Sequence, residues 1–324
     1  MSDRIDYRAV ISRFHSLIAL LLMVLAFSVF ADGFLSVDNF WTVMRQISVN
    51  TCLSVGMTLV ILTGGIDLSV GSILALSGAV MAGLLKSGTE LETLNLYVGY
   101  GAPAAITIGI LVGASLGLFN GVVITRFKVP PFVATLAMLT IARGLTKLYT
   151  GGEAITGLGD AFVTIGSGRL LGIPNQVWIA AGIVIAATVL LKKTRSGRYI
   201  YAVGGNEEAA KLSGLNVKRV KLMVYTAAGA LSAVGGLIVT SRLNSATPIA
   251  GEGLELDSIA AVVIGGTSLS GGRGSVLGTV LGALIIGVLN SGLVIMGVDP
   301  FWQTVIKGLV ILLAVVVDKL NSGE

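Results

Sequence analysis

Long runs of uncharged, mostly apolar residues alternate with short polar segments along the whole chain. A run of about 20 such residues can cross the hydrocarbon core of a bilayer as a helix, and flexible ends allow some shorter runs. Ten runs qualify, and they begin near Ser16, Gln46, Leu68, Pro103, Val129, Gln176, Leu222, Ser258, Ser275 and Pro300. The pattern therefore predicts an all-α polytopic membrane protein with about ten transmembrane helices.

Two of these runs weaken the count. The run from Ser258 to Gly272 has only 15 residues and ends in glycine, so it suits an interrupted or half-helix, and Lys307 breaks the last run. Eight or nine spans therefore stay open as alternatives. No stretch is left for a separate soluble domain, so residues 1–324 are expected to form one transmembrane domain.

Charge patterning predicts the orientation. The polar island Lys192–Lys221 carries eight basic residues and two acidic ones, and short basic loops of membrane proteins lie on the cytoplasmic side. Ten spans threaded from this island place both termini in the cytoplasm. The outer loops then hold most of the remaining acids, among them Glu153, Glu252 and Glu255.

Composition agrees with a membrane protein and excludes several functions. Only 12% of residues are charged, and mean hydropathy is +0.91. The net charge of +5 arises at the ends of apolar runs, which indicates contact with membrane lipid rather than with nucleic acid. The single cysteine excludes a disulfide within the chain, and the single histidine argues against a His-rich metal site or a catalytic set. The sequence also has no phosphate-binding glycine loop, so no ATP site is expected. We expect no enzyme activity and no cofactor bound by this chain.

Glycine clusters with polar residues in two places, which we call the first glycine segment (residues 64–72) and the second glycine segment (residues 265–275). Both contain Gly-Gly-x-x-Leu-Ser-x-Gly, which hints at an internal repeat. Pairs of glycine-interrupted apolar segments mark the moving parts of many transporters. Asp67, in the first segment, either accepts backbone N–H groups at the start of the next helix or lines a pathway.

Other glycines have a simpler interpretation. Gly109, Gly113, Gly117 and Gly121 repeat every four residues and therefore lie on one helix face. Small residues at this spacing allow two membrane helices to pack closely.

With no catalytic set, a conduit remains, and its lining is expected to be polar and mostly uncharged. Buried carboxylates are scarce, which favours a neutral, hydroxyl-rich solute over an ion. The alternative for each polar residue is an interhelical hydrogen bond. The candidates for a pathway or gate are Asn50, Thr63, Asp67, Ser69, Asn120, Thr267, Ser268 and Asn290.

The polar island contains one short predicted helix, Glu207–Ser213. Glutamates in the first turn and two alanines favour it, Gly214 suits a left-handed cap, and Gly204-Gly205-Asn206 supplies the preceding turn. Such a helix either docks in a groove of a partner or is a solvated loop element.

At these residues the chain resembles a known family. Glu208-Ala-Ala-x-x-x-Gly214 is similar to the motif through which permeases of ABC importers contact their ATPases. Residues 55–80, 196–217 and 255–293 resemble the ribose-type branch of the sugar ABC permeases, and the resemblance covers residues 16–320. It implies a single permease domain, in which residues 192–221 form the cytoplasmic coupling loop. The ATPase-coupling residues it implies are Gly205, Asn206, Glu207, Glu208, Ala209, Ala210 and Gly214.

The resemblance also implies a setting. A homodimer in the bacterial inner membrane would work with an ATPase subunit that has two nucleotide-binding modules and uses ATP and Mg. A periplasmic sugar-binding protein would deliver ribose or a related monosaccharide, which crosses by alternating access. An ion-coupled secondary sugar carrier, which would act alone, and a passive channel are the competing interpretations.

Overall fold

The computed structural model describes residues 7–91 and 96–322, and these residues are mostly helical. The helices are α1 (Tyr7–Phe30), α2 (Val37–Leu62), α3 (Val70–Ser87), α4 (Ala102–Arg126), α5 (Pro131–Thr150), α6 (Asp160–Ser167), α7 (Asn175–Lys193), α8 (Arg195–Gly205), α9 (Glu207–Leu212), α10 (Val217–Leu243), α11 (Leu254–Ile264), α12 (Val276–Ile295) and α13 (Pro300–Ser322). Three antiparallel pairs of very short strands connect them: β1 (Thr89–Leu91) with β2 (Leu96–Val98), β3 (Ile155–Thr156) with β6 (Ser245–Ala246), and β4 (Arg169–Leu170) with β5 (Ile173–Pro174).

Seven of the described helices are long and apolar enough to cross a membrane, namely α2, α3, α4, α5, α7, α10 and α12. This confirms a helical, multi-pass membrane protein. The other three predicted spans fall in α1 and α13, whose apolar stretches are shorter, and in α11. With 11 residues, α11 is about 16 Å long, roughly half of the hydrocarbon core, so it is a half-helix. The count of ten spans stays a prediction.

Helix α2 lies at the centre of the fold, packed against α7, α10, α11 and α12. Of its most apolar window 89% is buried within the protein, against 28% for α4 and α5 and 22% for α7. Polar residues of α2 therefore face other helices, whereas α4, α5 and α7 leave broad apolar surfaces for lipid or a partner.

The glycine repeat of α4 is a helix-packing face, as predicted. A Cβ at Gly113 or Gly117 would collide with the backbone of α10 at Gly229 and Tyr225, and one at Gly109 would collide with Met81 of α3. Glycine is therefore what allows α4 and α10 to pack with their backbones in contact.

Two helices were not predicted. The amphipathic α6 is short and flanked by glycines, so its sequence is typical of a loop. Helix α8 occupies residues that the sequence analysis left as loop, and Gly204 and Gly205 are its last two residues rather than a turn. Only Asn206 separates α8 from α9.

Candidate functional site

Helix α9 is closed at both ends by its own sequence. The Asn206 side chain accepts a hydrogen bond from the Ala209 N–H at 2.9 Å. At the other end Gly214 is left-handed (φ 83°), and the N–H groups of Gly214 and Leu215 donate to the carbonyls of Lys211 and Ala210 at 3.0 and 3.1 Å. This pattern is a Schellman cap. The predicted helix and its glycine cap are confirmed.

One face of α9 is held against the protein. Ala210 is 5% exposed within a core cluster, and the Glu207 carboxylate accepts a 2.7 Å hydrogen bond from Lys221 of α10. The opposite face is free, since Glu208, Ala209 and Leu212 are all exposed. Gly205, Asn206 and Gly214, the remaining predicted coupling residues, are exposed as well.

Leu212 is a residue of this surface that the sequence analysis missed. Its side chain is 89% exposed, more than any other large apolar residue among those described. Two helical positions after the buried Ala210, it points about 200° away, to the opposite face. Its helical spacing from Ala210 is the feature of the sequence from which its exposure could have been predicted. Its apolar side chain is therefore accessible on the same exposed face as Glu208 and Ala209.

Beside α9 lies a basic cavity of about 690 Å³ between the α4–α5 connection and the start of α10. Four lysines and one acid, Glu207, line it; the lysines are Lys128, Lys211, Lys218 and Lys221. The α9 surface therefore combines apolar contacts with positive charge, which suits an acidic partner surface.

The first glycine segment ends α2 with a Schellman cap. Gly64 is left-handed (φ 75°), and the N–H groups of Gly64 and Gly65 donate to the carbonyls of Ile61 and Val60 at 2.8 and 3.2 Å. Thr63 donates its hydroxyl to Val60. The glycines at the start of this segment therefore end α2.

Asp67 is fully buried within this segment. Its Oδ1 accepts from the N–H and the hydroxyl of Ser69 at 2.9 and 2.5 Å, and Ser69 Oγ accepts from the Asn120 amide at 2.9 Å. Thr135 donates to the carbonyl of Ile66 at 3.2 Å. Three predicted residues, Asp67, Ser69 and Asn120, therefore form one network that fastens the segment to α4. Asp67 does accept a backbone N–H at the start of α3.

The second glycine segment repeats the same cap at the end of α11. Gly266 is left-handed (φ 83°), and the N–H groups of Gly266 and Thr267 donate to Val263 and Val262 at 2.9 and 3.1 Å. Gly64 and Gly266 thus occupy the same position in the two caps. The repeated sequence motif instead aligns Gly64 with Gly265, so the structural and sequence alignments differ by one residue. Thr267 is buried, and Ser268 Oγ accepts from the Ser270 N–H at 3.3 Å.

Helix α8 packs against the second glycine segment and against the last residue of α2. Gly271 and Gly272 pack on the backbones of Gly204 and Gly205, and a Cβ at Gly204 would collide with the carbonyl oxygen of Leu62. Tyr201, also in α8, donates its hydroxyl to the Gly274 carbonyl at 2.9 Å, and burial raises the pKa of Tyr201. The end of α8, one residue before α9, is therefore in direct contact with the second glycine segment and with Leu62, the residue that ends α2.

The remaining predicted pathway residues lie apart from this junction. Asn50 Oδ1 accepts from Ser54 and from Ser258 of α11 at 3.3 Å each, and Asn290 of α12 is 7% exposed. Among the described contacts, Asp67, Ser69 and Asn120 therefore form one hydrogen-bonded group, and Asn50 belongs to another with Ser258. Within the described ranges, no group of three His, Cys, Asp or Glu side chains is placed to hold a metal ion.

The described residues thus combine apolar helices long enough to cross a membrane, two glycine-broken connections and an exposed loop helix, which is the architecture of a multi-pass membrane protein. Residues 39–315 match the family described as branched-chain amino acid transport system, permease component. The chain belongs to this family. It is therefore a permease component rather than an enzyme, and it lies in the bacterial inner membrane as a multi-pass protein.

Named relatives of the chain are sugar import permeases. It is 48% identical to the ribose import permease protein RbsC of Escherichia coli K12, over 94% of this chain and 92% of that one. It is 49% identical to RbsC of Bacillus subtilis 168, over 99% and 97%. The fructose import permease protein FrcC of Rhizobium meliloti is 39% identical over 94% of this chain and 84% of its own. No solved structure matches the chain.

Proposed function

We propose that this permease is the membrane subunit of an ATP-driven sugar importer, with ribose or a closely related monosaccharide as its substrate. The named relatives support the sugar, because identity is 48–49% to ribose permeases and 39% to the fructose permease. They also favour an importer with partner proteins over an ion-coupled carrier that works alone.

The observation that carries the coupling proposal is the surface of α9. Its exposed residues Glu208, Ala209 and Leu212 and the lysine-lined cavity beside them are available to a second protein. The partner there is an ATPase subunit with two nucleotide-binding modules, which binds the ATP and Mg that this chain does not bind. A periplasmic sugar-binding protein delivers substrate on the other side, and a second copy of the chain completes the pathway.

The proposed arrangement has ten spans with both termini in the cytoplasm, which puts α8 and α9 on the ATPase side. ATP binding shifts α9, and α8 passes the shift to both glycine segments through Gly204 and Tyr201. The translocation pathway then closes on one side of the membrane and opens on the other. A partner can drive this change only if it binds the two states with different affinity.

The test is uptake of radiolabelled ribose by proteoliposomes that contain the permease, with and without its ATPase, binding protein and ATP. Uptake that requires all components supports the proposal. Uptake by the permease alone contradicts the ATP-driven mechanism, and a complete system that moves another monosaccharide but not ribose changes only the substrate.

A further inference from the structure

The connection between α10 and α11, residues 244–253, enters the helical bundle instead of staying outside it. Ala246 packs in a buried cluster with Ala79 and Ala82 of α3. Five residues later Gly251 touches Gly71, near the start of α3, closely enough that a Cβ at Gly71 would collide with the Gly251 carbonyl. Residues 246–251 therefore run alongside α3, toward its N-terminal end, with no helix of their own.

The level of this connection in the bundle follows from α5. Arg143 of α5 donates from Nη1 to the carbonyls of Pro248 and Ala250 at 2.8 and 2.7 Å. Arg143 is 12 residues from Pro131, about 18 Å along a helix of about 30 Å. The irregular backbone thus lies at membrane depth, where it is tolerated only if it is buried in protein or lines a water-filled cavity.

The charges around it distinguish these two cases. Glu252 Oε1 lies 3.9 Å from Arg143 Nε; the Arg143 side chain is 13% exposed and that of Glu252 is 58% exposed. Glu255 accepts from the Gly253 N–H at 3.2 Å, in the first turn of α11. A carboxylate that faced lipid at this depth would be strongly disfavoured, so Glu252 must face water or the pathway.

We infer that Arg143, Glu252 and Glu255 form a binding site for a neutral, polyhydroxylated monosaccharide at the middle of the translocation pathway. Each sugar hydroxyl is both a donor and an acceptor. The carboxylates of Glu252 and Glu255 accept from hydroxyls, and the Arg143 guanidinium, held in place by two carbonyls, donates to them. The inference rests on the proposed sugar importer and assigns its membrane site.

This site differs from the sequence analysis. Charge patterning put Glu252 and Glu255 in an outer loop. In the sequence, a connection that enters the bundle and continues as a half-helix cannot be distinguished from an outer loop followed by a transmembrane helix. Arg143 was missed because one charge within a long apolar run did not stop the run from being counted as a span.

The first test uses the single cysteine of the chain. Cys52 is fully buried, and in a Cys52→Ala background a Glu252→Cys variant is treated with a charged, membrane-impermeant thiol reagent. We expect labelling, whereas Ile185→Cys, 64% exposed in the middle of α7, is expected to stay unlabelled. An unlabelled Glu252→Cys in a folded complex would show that Glu252 does not face water and would overturn the inference.

The second test is uptake of ribose by the complete system with Glu252→Gln, and with Glu153→Gln as the matched control. Glu153 is an exposed acid in the connection after α5. We expect Glu252→Gln to lower uptake at least about tenfold while ATP hydrolysis persists, and Glu153→Gln to leave both unchanged.

The outcomes separate the two proposals. Equal losses of uptake, ATP hydrolysis and assembled complex would make Arg143–Glu252 a structural clamp, and normal uptake by Glu252→Gln would also overturn the site. A wild-type system that imports no monosaccharide would instead contradict the proposed function, and the labelling result would stand independently of it.

Discussion

The backbone N–H of Gly272 donates a 3.0 Å hydrogen bond to the carbonyl oxygen of Leu62. This bond joins the second glycine segment to the end of α2, across more than 200 residues of sequence. Gly204, the penultimate residue of α8, packs directly on it, since a Cβ there would collide with the Leu62 oxygen and approach the Gly272 nitrogen to 2.6 Å. Three backbones therefore meet with no side chain between them.

Gly204→Ala is expected to uncouple transport from ATP hydrolysis. The added methyl group must displace either α8 or the Leu62–Gly272 bond, so a shift of α9 no longer reaches both glycine segments together. Coupling between two sites is typically a 5–150-fold effect, and we expect the number of sugars moved per ATP to fall by about fivefold or more. Uptake and ATP hydrolysis measured in the same proteoliposomes give this ratio.

A glycine of α7, outside the coupling residues, is the control for this variant. A Cβ at Gly182 meets no atom within 4 Å and its φ is not positive, so Gly182→Ala should keep the normal ratio. If Gly204→Ala assembles with the ATPase and also keeps that ratio, α8 does not transmit the movement.

The sequence predicted the glycine segments and the loop helix because their signals are local. Gly64 and Gly214 follow helical patterns directly, and a left-handed cap needs little beyond that glycine. The contact between the segments was not predictable, because α8, which packs against Leu62 and the second segment, is an 11-residue amphipathic helix within a basic loop. Tyr201 and Gly204 have a role only through tertiary contacts.

The polar residues of the membrane region show a second limit. Asn50 and Asp67 were recognised as unusual by their surroundings in the sequence, and the structure gives both of them hydrogen-bond partners on other elements or nearby residues. Glu252 was taken for an ordinary loop residue, because sequence alone does not reveal that a connection descends into the bundle.

Leu212→Ala is expected to weaken binding of the ATPase subunit. The side chain is 89% exposed, so in the permease alone it contributes little to stability, and its apolar surface is buried only when the partner binds. Truncation of an exposed leucine that becomes buried at an interface costs about 1–3 kcal/mol, or roughly 5–150-fold in Kd.

Binding of the purified ATPase to the permease in nanodiscs measures this effect. Leu243→Ala is the matched control, since Leu243 is also exposed but lies at the far end of α10. Equal affinities for wild type and Leu212→Ala would remove Leu212 from the contact surface.

Asp67→Asn and Asp67→Ala separate a structural role from a role of the charge. Asparagine keeps an oxygen that accepts from the N–H and hydroxyl of Ser69, whereas alanine leaves these buried donors unpaired at a cost of about 1–3 kcal/mol. We expect Asp67→Ala to lower the thermal stability in detergent and Asp67→Asn to be close to wild type. Loss of uptake in a stable Asp67→Asn would instead assign a function to the negative charge.

Lys307→Met is expected to destabilise the packing of α13 on α11. Lys307 Nζ lies 3.4 Å from Asp257 Oδ2, and the two side chains are 28% and 11% exposed. Removing the ammonium leaves the Asp257 carboxylate without its charge partner, at a cost of roughly 3 kcal/mol. Thermal unfolding in detergent measures the loss. The double variant Lys307→Met with Asp257→Asn removes both charges and is expected to recover most of the stability; if it is no more stable than Lys307→Met, the ion pair is not what joins these helices.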